Sequence, residues 1–150
     1  MLGDMELLLL LRRHCVDGAF ENFHYILETR ILKTTLLSII ESRDKNGCSL
    51  MHYAAKGGSK NILEILLKHC TQRTIDDTDY FGHTLLHFAC QNGQYDLCVY
   101  ILSQDKYCKR LLTKTDHNGW NAAHFTAVSG HFKLFKLLYG KGDINMNSET

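Results

Sequence analysis

The chain carries almost no excess of charge. Seventeen basic residues stand against sixteen acidic ones in 150 positions, leaving +1. That balance removes the global argument for a nucleic-acid or anionic-membrane partner. Proline is absent, so helices here start without the residue that suits a first turn. No C-x-x-C pair occurs among the six cysteines at 15, 48, 70, 90, 98 and 108, and their spacing does not outline a small disulfide scaffold. Reduced thiols in a cytoplasmic or nuclear protein are expected. A long apolar run is missing as well. The richest stretch, Leu7–Leu11, is far too short to span a bilayer, and its acidic-before-basic flanks reverse those of a signal peptide. It reads as a buried helix, with Asp4 and Glu6 near its start and Arg12 and Arg13 near its end. A Gly-rich phosphate loop, a G-x-S-x-G elbow and an H-E-x-x-H motif are likewise absent, so no enzyme motif is legible.

What is present is repetition. The stretch "GHTLLHFACQNG" at 82–93 has companions in "GCSLMHYAAKGG" at 47–58 and "GWNAAHFTAVSG" at 119–130. Gly58, Gly93 and Gly130 stand 35 and 37 residues apart, and Gly47, Gly82 and Gly119 repeat with the same steps. Asp44, Asp79 and Asp116 precede the second series by three residues. Self-similarity at such a period marks a stacked repeat protein. Gly18 lies 40 residues before Gly58, and "DGAFENFHYILE" places its apolar residues like "GGSKNILEILLK". This first unit lacks the aspartate turn and the histidine, as a terminal repeat with one unpacked face would. The implied units are 1–43, a degenerate cap, then 44–78, 79–115 and 116–150.

Each unit parses in the same way. "DKNG", "DYFG" and "DHNG" are turns, with aspartate opening them and glycine supplying permissive φ. Ser49, Thr84 and Asn121 are helix N-caps ahead of short apolar helices that end at Gly58, Gly93 and Gly130. Second helices are expected at 61–69, 95–104 and 132–139. His52, His87 and His124 recur inside the short helices, as candidate metal ligands, bases or structural ties. His87 and Cys90 stand three apart on one helix, but no second pair accompanies them to complete a zinc site. Cys98 falls in an apolar series that predicts burial and an inert thiol rather than a nucleophile.

The units "DKNGCSLMHYAAKGG", "DYFGHTLLHFACQNG" and "DHNGWNAAHFTAVSG" resemble ankyrin repeats, and with the degenerate first unit the resemblance covers roughly residues 5–145. It implies an all-α ankyrin-repeat solenoid of helix-turn-helix units with projecting β-turn fingers, in which the three histidines form a ladder of structural ties. Leu50, Leu85 and Ala122 stand where the family has proline, and the steps exceed the family period of about 33. The surplus falls in "RILKTTLLSIIESR", "CTQRTIDDT" and "DKYCKRLLTKT", expected as elongated loops.

The resemblance further implies a concave protein-binding surface. Its positions here are Lys45, Asn46, Cys48, Lys56 and Gly57, then Tyr80, Phe81, His83, Gln91 and Asn92, then His117, Asn118, Trp120, Val128 and Ser129. Tyr80, Phe81 and Trp120 are expected on exposed fingertips, where large aromatics suit binding hot spots. The expected function is a protein-protein interaction scaffold without catalysis, metal, cofactor, nucleic acid, small-molecule substrate or membrane contact. Two alternatives share its fold: a stand-alone protein like the NF-κB inhibitors that sequesters a transcription factor, and a docking module of a larger enzyme or channel. The apolar second helix of the last unit and "DINMN" after it suggest a longer array or a covered C-terminal face. "LLYGKGDIN" at 137–145 resembles the ankyrin segment recognised by an asparaginyl hydroxylase, which makes Asn145 a candidate modification site.

Overall fold

A computed structural model describes residues 3–29, 38–69 and 77–141. Every regular element among these is a helix. They are α1 (Asp4–Asp17), α2 (Phe20–Thr29), α3 (Leu50–Gly57), α4 (Lys60–His69), α5 (Leu85–Gln91), α6 (Tyr95–Leu102), α7 (Asp105–Thr113), α8 (Ala122–Val128) and α9 (Phe132–Lys141), with a further helical stretch at 38–41.

The short helices begin as the local sequence dictates. Ser49, Thr84 and Asn121 take extended backbone at the N-cap, and Leu50, Leu85 and Ala122 open the first turns in place of proline. Asn121 Oδ1 accepts the His124 N–H at 3.1 Å, satisfying one of the orphan donors of a helix start. Gly58, Gly93 and Gly130 follow the helices with φ of +77°, +68° and +77°.

The helices stack in two layers. α1, α3, α5 and α8 pack in succession to form one layer, and α2, α4, α6 and α9 form the other. Between the layers lies one continuous core, in which Leu11, Phe23, Leu50, Ile62, Leu66, Leu85, Leu97 and Leu138 are essentially sealed from water. The apolar spacing within each helix turns those residues inward, and that burial is the main drive for stacking.

One expected loop is not a loop. "DKYCKRLLTKT" contains α7, which packs between α6 and α8 and buries Leu111 and Leu112. Its apolar residues Tyr107, Cys108, Leu111 and Leu112 recur at helical spacing, a signal hidden among five charged neighbours. The surplus after the first unit is also helical over 38–41, where Ile39 and Ile40 are buried. Residues 70–76 of "CTQRTIDDT", and Cys70 with them, lie outside the described residues.

Candidate functional site

The three aspartate turns are built alike. Asp79 Oδ1 accepts the backbone N–H groups of Phe81 and His83, both at 2.9 Å. Asp116 does the same for Asn118 and Trp120, and Asp44 for Asn46 and Cys48. Gly47, Gly82 and Gly119 close the turns at φ of +83°, +85° and +81°. Successive fingers are then tied through their backbones. The Tyr80 N–H donates to the Asn46 carbonyl at 2.9 Å, and the His117 N–H to the Phe81 carbonyl at 3.0 Å. Glycine is needed at 47 and 82 for closeness too, since an added Cβ would sit 2.7 Å from Tyr80 N and 2.9 Å from His117 N.

The histidines sit behind the fingers. Nδ1 of His52, His87 and His124 accepts the N–H of Ser49, Thr84 and Asn121, each at 2.9 Å. A backbone N–H only donates, so Nδ1 carries no proton and the neutral ring keeps its hydrogen on Nε2. That Nε2–H donates to the Asp77 carbonyl from His52 and to the Trp120 carbonyl from His87, both at 3.1 Å. Burial lowers the pKa of both rings, that of His87 to about 4. The imidazole thus does the work of the Glu or Gln in a capping box, while its far nitrogen reaches the end of its own unit from His52 and the next unit from His87. Ring nitrogens used this way have no lone pair left for a metal. Among the described residues no group of three or more His, Cys, Asp or Glu is arranged to hold one.

Several ties were not legible in the sequence. His83 bridges two fingers, its Nδ1 3.0 Å from Asp79 Oδ2 and its Nε2 3.2 Å from Asp116 Oδ2. Arg43 donates to the Gly47 and Thr78 carbonyls and pairs with Asp77 at 2.5 Å. Gln94 lies over Gly58 and donates to the Lys56 carbonyl at 3.0 Å, while His131 lies over Gly93 with Nε2 3.3 Å from the Gln91 carbonyl. Gln94 and His131 occupy equivalent positions, each one residue past a helix-ending glycine. That recurrence was the available signal.

The candidate binding positions divide accordingly. Lys45, Asn46, Lys56, Gln91, Asn92, His117, Asn118, Val128 and Ser129 are exposed, as are Tyr80 at 62% and Phe81 at 56%. His83 is half-buried, with both nitrogens turned to carboxylates. Trp120 departs from its expected exposure. It is half-buried, edge-on to Phe125 at 5.4 Å and tilted against His124 at 6.0 Å, because it sits past the turn glycine where the chain descends to α8. Cys48 is buried below the first finger. Burial, then Asp44 and Asp79, push its thiol up to about 11 against the opposing charges of Lys56 and Arg12. Gly57 is half-buried, with the Cys15 and Val16 carbonyls of α1 against it. Asn145 lies outside the described residues.

Arg12 and Asp44 meet through Tyr53 at the first finger. The Arg12 guanidinium lies 5.7 Å over the Tyr53 ring, and the Tyr53 hydroxyl donates to Asp44 Oδ2. Burial would raise the Asp44 pKa. Hydrogen bonds from Tyr53, Cys48 and Asn46, with the charge of Arg12, outweigh burial and hold it below the usual carboxylate range. Elsewhere, a depression of about 500 Å³ is lined by Thr84, Arg110, Leu111, Thr113, Lys114 and Thr115. The Thr84 and Thr113 hydroxyls already bond their own chain there.

A stack of paired helices with aspartate-turn fingers is the ankyrin architecture, and comparison agrees. The family model described as ankyrin repeats, three copies, matches residues 19–109, and the chain belongs to that family. Ankyrin repeats are a protein-interaction module. Among curated proteins the chain is similar to human transient receptor potential cation channel subfamily A member 1, 34% identical over 100 residues, covering 66% of this chain and 8% of the channel. It is also similar to rat diacylglycerol kinase zeta, 35% identical over 77 residues, covering 51% of this chain and 8% of the kinase. A third relative is the rice probable E3 ubiquitin-protein ligase XBOS32, 33% identical over 91 residues, covering 60% of this chain and 17% of the ligase. The chain therefore spans only a small part of these relatives. Among the described residues no helix is long and apolar enough to cross a membrane.

Proposed function

We propose that the chain is a passive docking scaffold that receives a partner protein on the face formed by its fingers and short helices, with no chemistry of its own. The observation that carries this reading is the exposure of Tyr80 and Phe81 beside polar side chains, over turns whose carboxylates and histidines are already bonded. Large exposed rings on a rigid support are what a binding hot spot requires, and rigidity reduces the ordering cost of association. The structural histidines and the turn glycines serve the scaffold, while Lys45, Asn46, Lys56, Gln91, Asn92, His117, Asn118 and Ser129 supply specificity around the rings.

The test is capture of a partner by the wild type and by Tyr80→Ala/Phe81→Ala, both checked for the same cooperative melt. Loss of a specifically retained protein with the double variant supports the reading. Equal retention overturns it. The similarity to short stretches of a channel, a kinase and a ligase favours a second reading, a docking module that brings a partner to an activity resident elsewhere. In that case the captured protein is a substrate or regulator of such an activity.

A further inference from the structure

The charges on the finger face are segregated. From Asp44 to Gly57, Asp79 to Asn92 and Asp116 to Ser129, the only carboxylates are the three turn aspartates. Their oxygens are occupied by backbone N–H groups, Tyr53 and His83. Other exposed acids are Glu21 and Glu28 on α2 and Asp96 on α6, in the other layer, and Glu41 ahead of the first finger. On α1, Asp17 pairs with Arg13 and Glu6 bonds Gly3 N. Lys45 and Lys56 on the finger face are not matched in this way, while Arg12 acts on Asp44 without a direct ion pair. Lys45, Lys56 and Arg12 make no ion pair among the described residues.

The cations also lie close together and beside the rings. Arg12 lies 5.7 Å over the Tyr53 ring, and Lys56 stands three residues past Tyr53 on α3, which brings both cations beside the first finger. Lys45 precedes Asn46, whose carbonyl takes the Tyr80 N–H, so the first fingertip adjoins the aromatic one. Beyond Phe81 the face continues through His117, Asn118, Gln91 and Asn92, which carry hydrogen-bonding groups but no carboxylate. A partner with carboxylates therefore meets attraction at one end and no like charge along the way.

We propose that this face takes an acidic peptide segment with one apolar anchor, its carboxylates meeting Lys45, Lys56 and Arg12 and its anchor seated against Tyr80 and Phe81. The inference rests on the docking reading and adds the chemistry of the partner to it. Three cations with aromatics at one end suit a short acidic segment. A nucleic acid would call for a basic stripe along the whole face.

The test uses the whole chain to select from a random peptide library displayed on phage. The winning peptide is then made with a fluorophore and titrated against the wild type, Lys45→Glu/Lys56→Glu and Phe81→Ala. The expected winner is rich in Asp and Glu around one aromatic or branched apolar residue. Both variants weaken it by about tenfold or more, and added salt weakens it for the wild type. A neutral or basic winner that still needs Phe81 overturns the acidic class and leaves the docking reading standing. Winners indifferent to both variants overturn the docking reading with it. A library that yields no binder above bare support overturns the proposal. So does a fluorescent oligothymidine that binds more tightly than the peptide and loses binding in the lysine variant.

Discussion

His83 Nε2 lies 3.2 Å from Oδ2 of Asp116, in the turn of the following unit. The opposite nitrogen is 3.0 Å from Asp79 Oδ2, so one ring spans two carboxylates that are almost wholly buried. Both aspartates keep their backbone donors if the ring is removed, and His83 is itself partly exposed. The loss is therefore well short of the cost of stripping a fully buried pair. His83→Ala is expected to lower unfolding stability by about 1–2 kcal/mol. Equilibrium urea melts of His83→Ala, Asp116→Asn and the double variant would check it. Additive losses would mean that the two side chains do not act on each other.

Acid should weaken the stack through the other histidines. His87 is held below its ordinary 6.5, at about 4, first by burial, and His52 is lowered for the same reason. A base whose pKa is lower in the folded state binds fewer protons there than when unfolded. Its contribution is complete above pH 6.5 and is lost as pH falls toward about 4. For His87 alone the loss reaches about 2 kcal/mol near pH 5. Denaturant midpoints should fall over this window, and the NMR signal of the native His87 ring should stay unmoved until its acid end. A His87 titration midpoint near its ordinary value would sink the assignment.

These histidines differ in how far the sequence reveals their roles. The ankyrin units were legible because Asp79, Gly82, Thr84 and His87 act largely within one unit, so spacing alone reveals the turn and the capped helix. The His83 clasp, the Arg43 bridge and the Gln94 and His131 contacts join residues roughly a repeat apart, and no local pattern encodes which side chain reaches across. Trp120 fails for a related reason. Its exposure depends on Phe125 standing in its path, which is a matter of packing and not of finger position. The helix α7 was missed where its pattern was present, because a unit of standard length leaves no place for a third helix.

A helical glycine offers a test in which propensity and packing disagree. Gly57 ends α3, and helix propensity favours alanine over glycine by up to about 1 kcal/mol. An added Cβ would lie 2.1 Å from the Cys15 carbonyl oxygen and 2.6 Å from that of Val16. Both are backbone atoms of α1 and cannot swing aside. Gly57→Ala is expected to destabilise by about 2 kcal/mol or more. Gly140→Ala in α9, with nothing within 4 Å, should be neutral or stabilising. Thermal melts of the pair decide it, and equal shifts would mean that α1 does not rest on α3 at this point.

Thiol reactivity should report the layers directly. Cys15, Cys90 and Cys98 are fully buried, and Cys90 Sγ lies 3.9 Å from Cys98 Sγ across the α5–α6 pair. Burial raises the Cys15 and Cys90 thiols, and Cys48 is raised to about 11. The thiolate is the reactive form, and Cys98 is sealed from reagent by burial, so Cys15, Cys48, Cys90 and Cys98 should alkylate only as fast as the chain opens. Among the described cysteines, Cys108, half-buried on α7, should react first. Peptide mapping after timed maleimide exposure measures the order. Early labelling of Cys90 or Cys98 would contradict the packing of α5 on α6.

The two kinds of aromatic on the finger side should separate stability from docking. Phe81 is 56% exposed, and its removal should change unfolding stability by less than about 0.5 kcal/mol. Trp120 packs against Phe125 and His124, and its carbonyl accepts the His87 Nε2–H at 3.1 Å. Trp120→Ala removes half-buried ring surface and loosens the support under that bond, so it should cost about 2 kcal/mol. A docking experiment that truncates Trp120 would therefore confuse a weakened stack with a lost contact. Melts of the two single variants settle the matter. Equal stability loss would mean that Phe81 is part of the stack, and its role as an anchor for a partner would fall with that result.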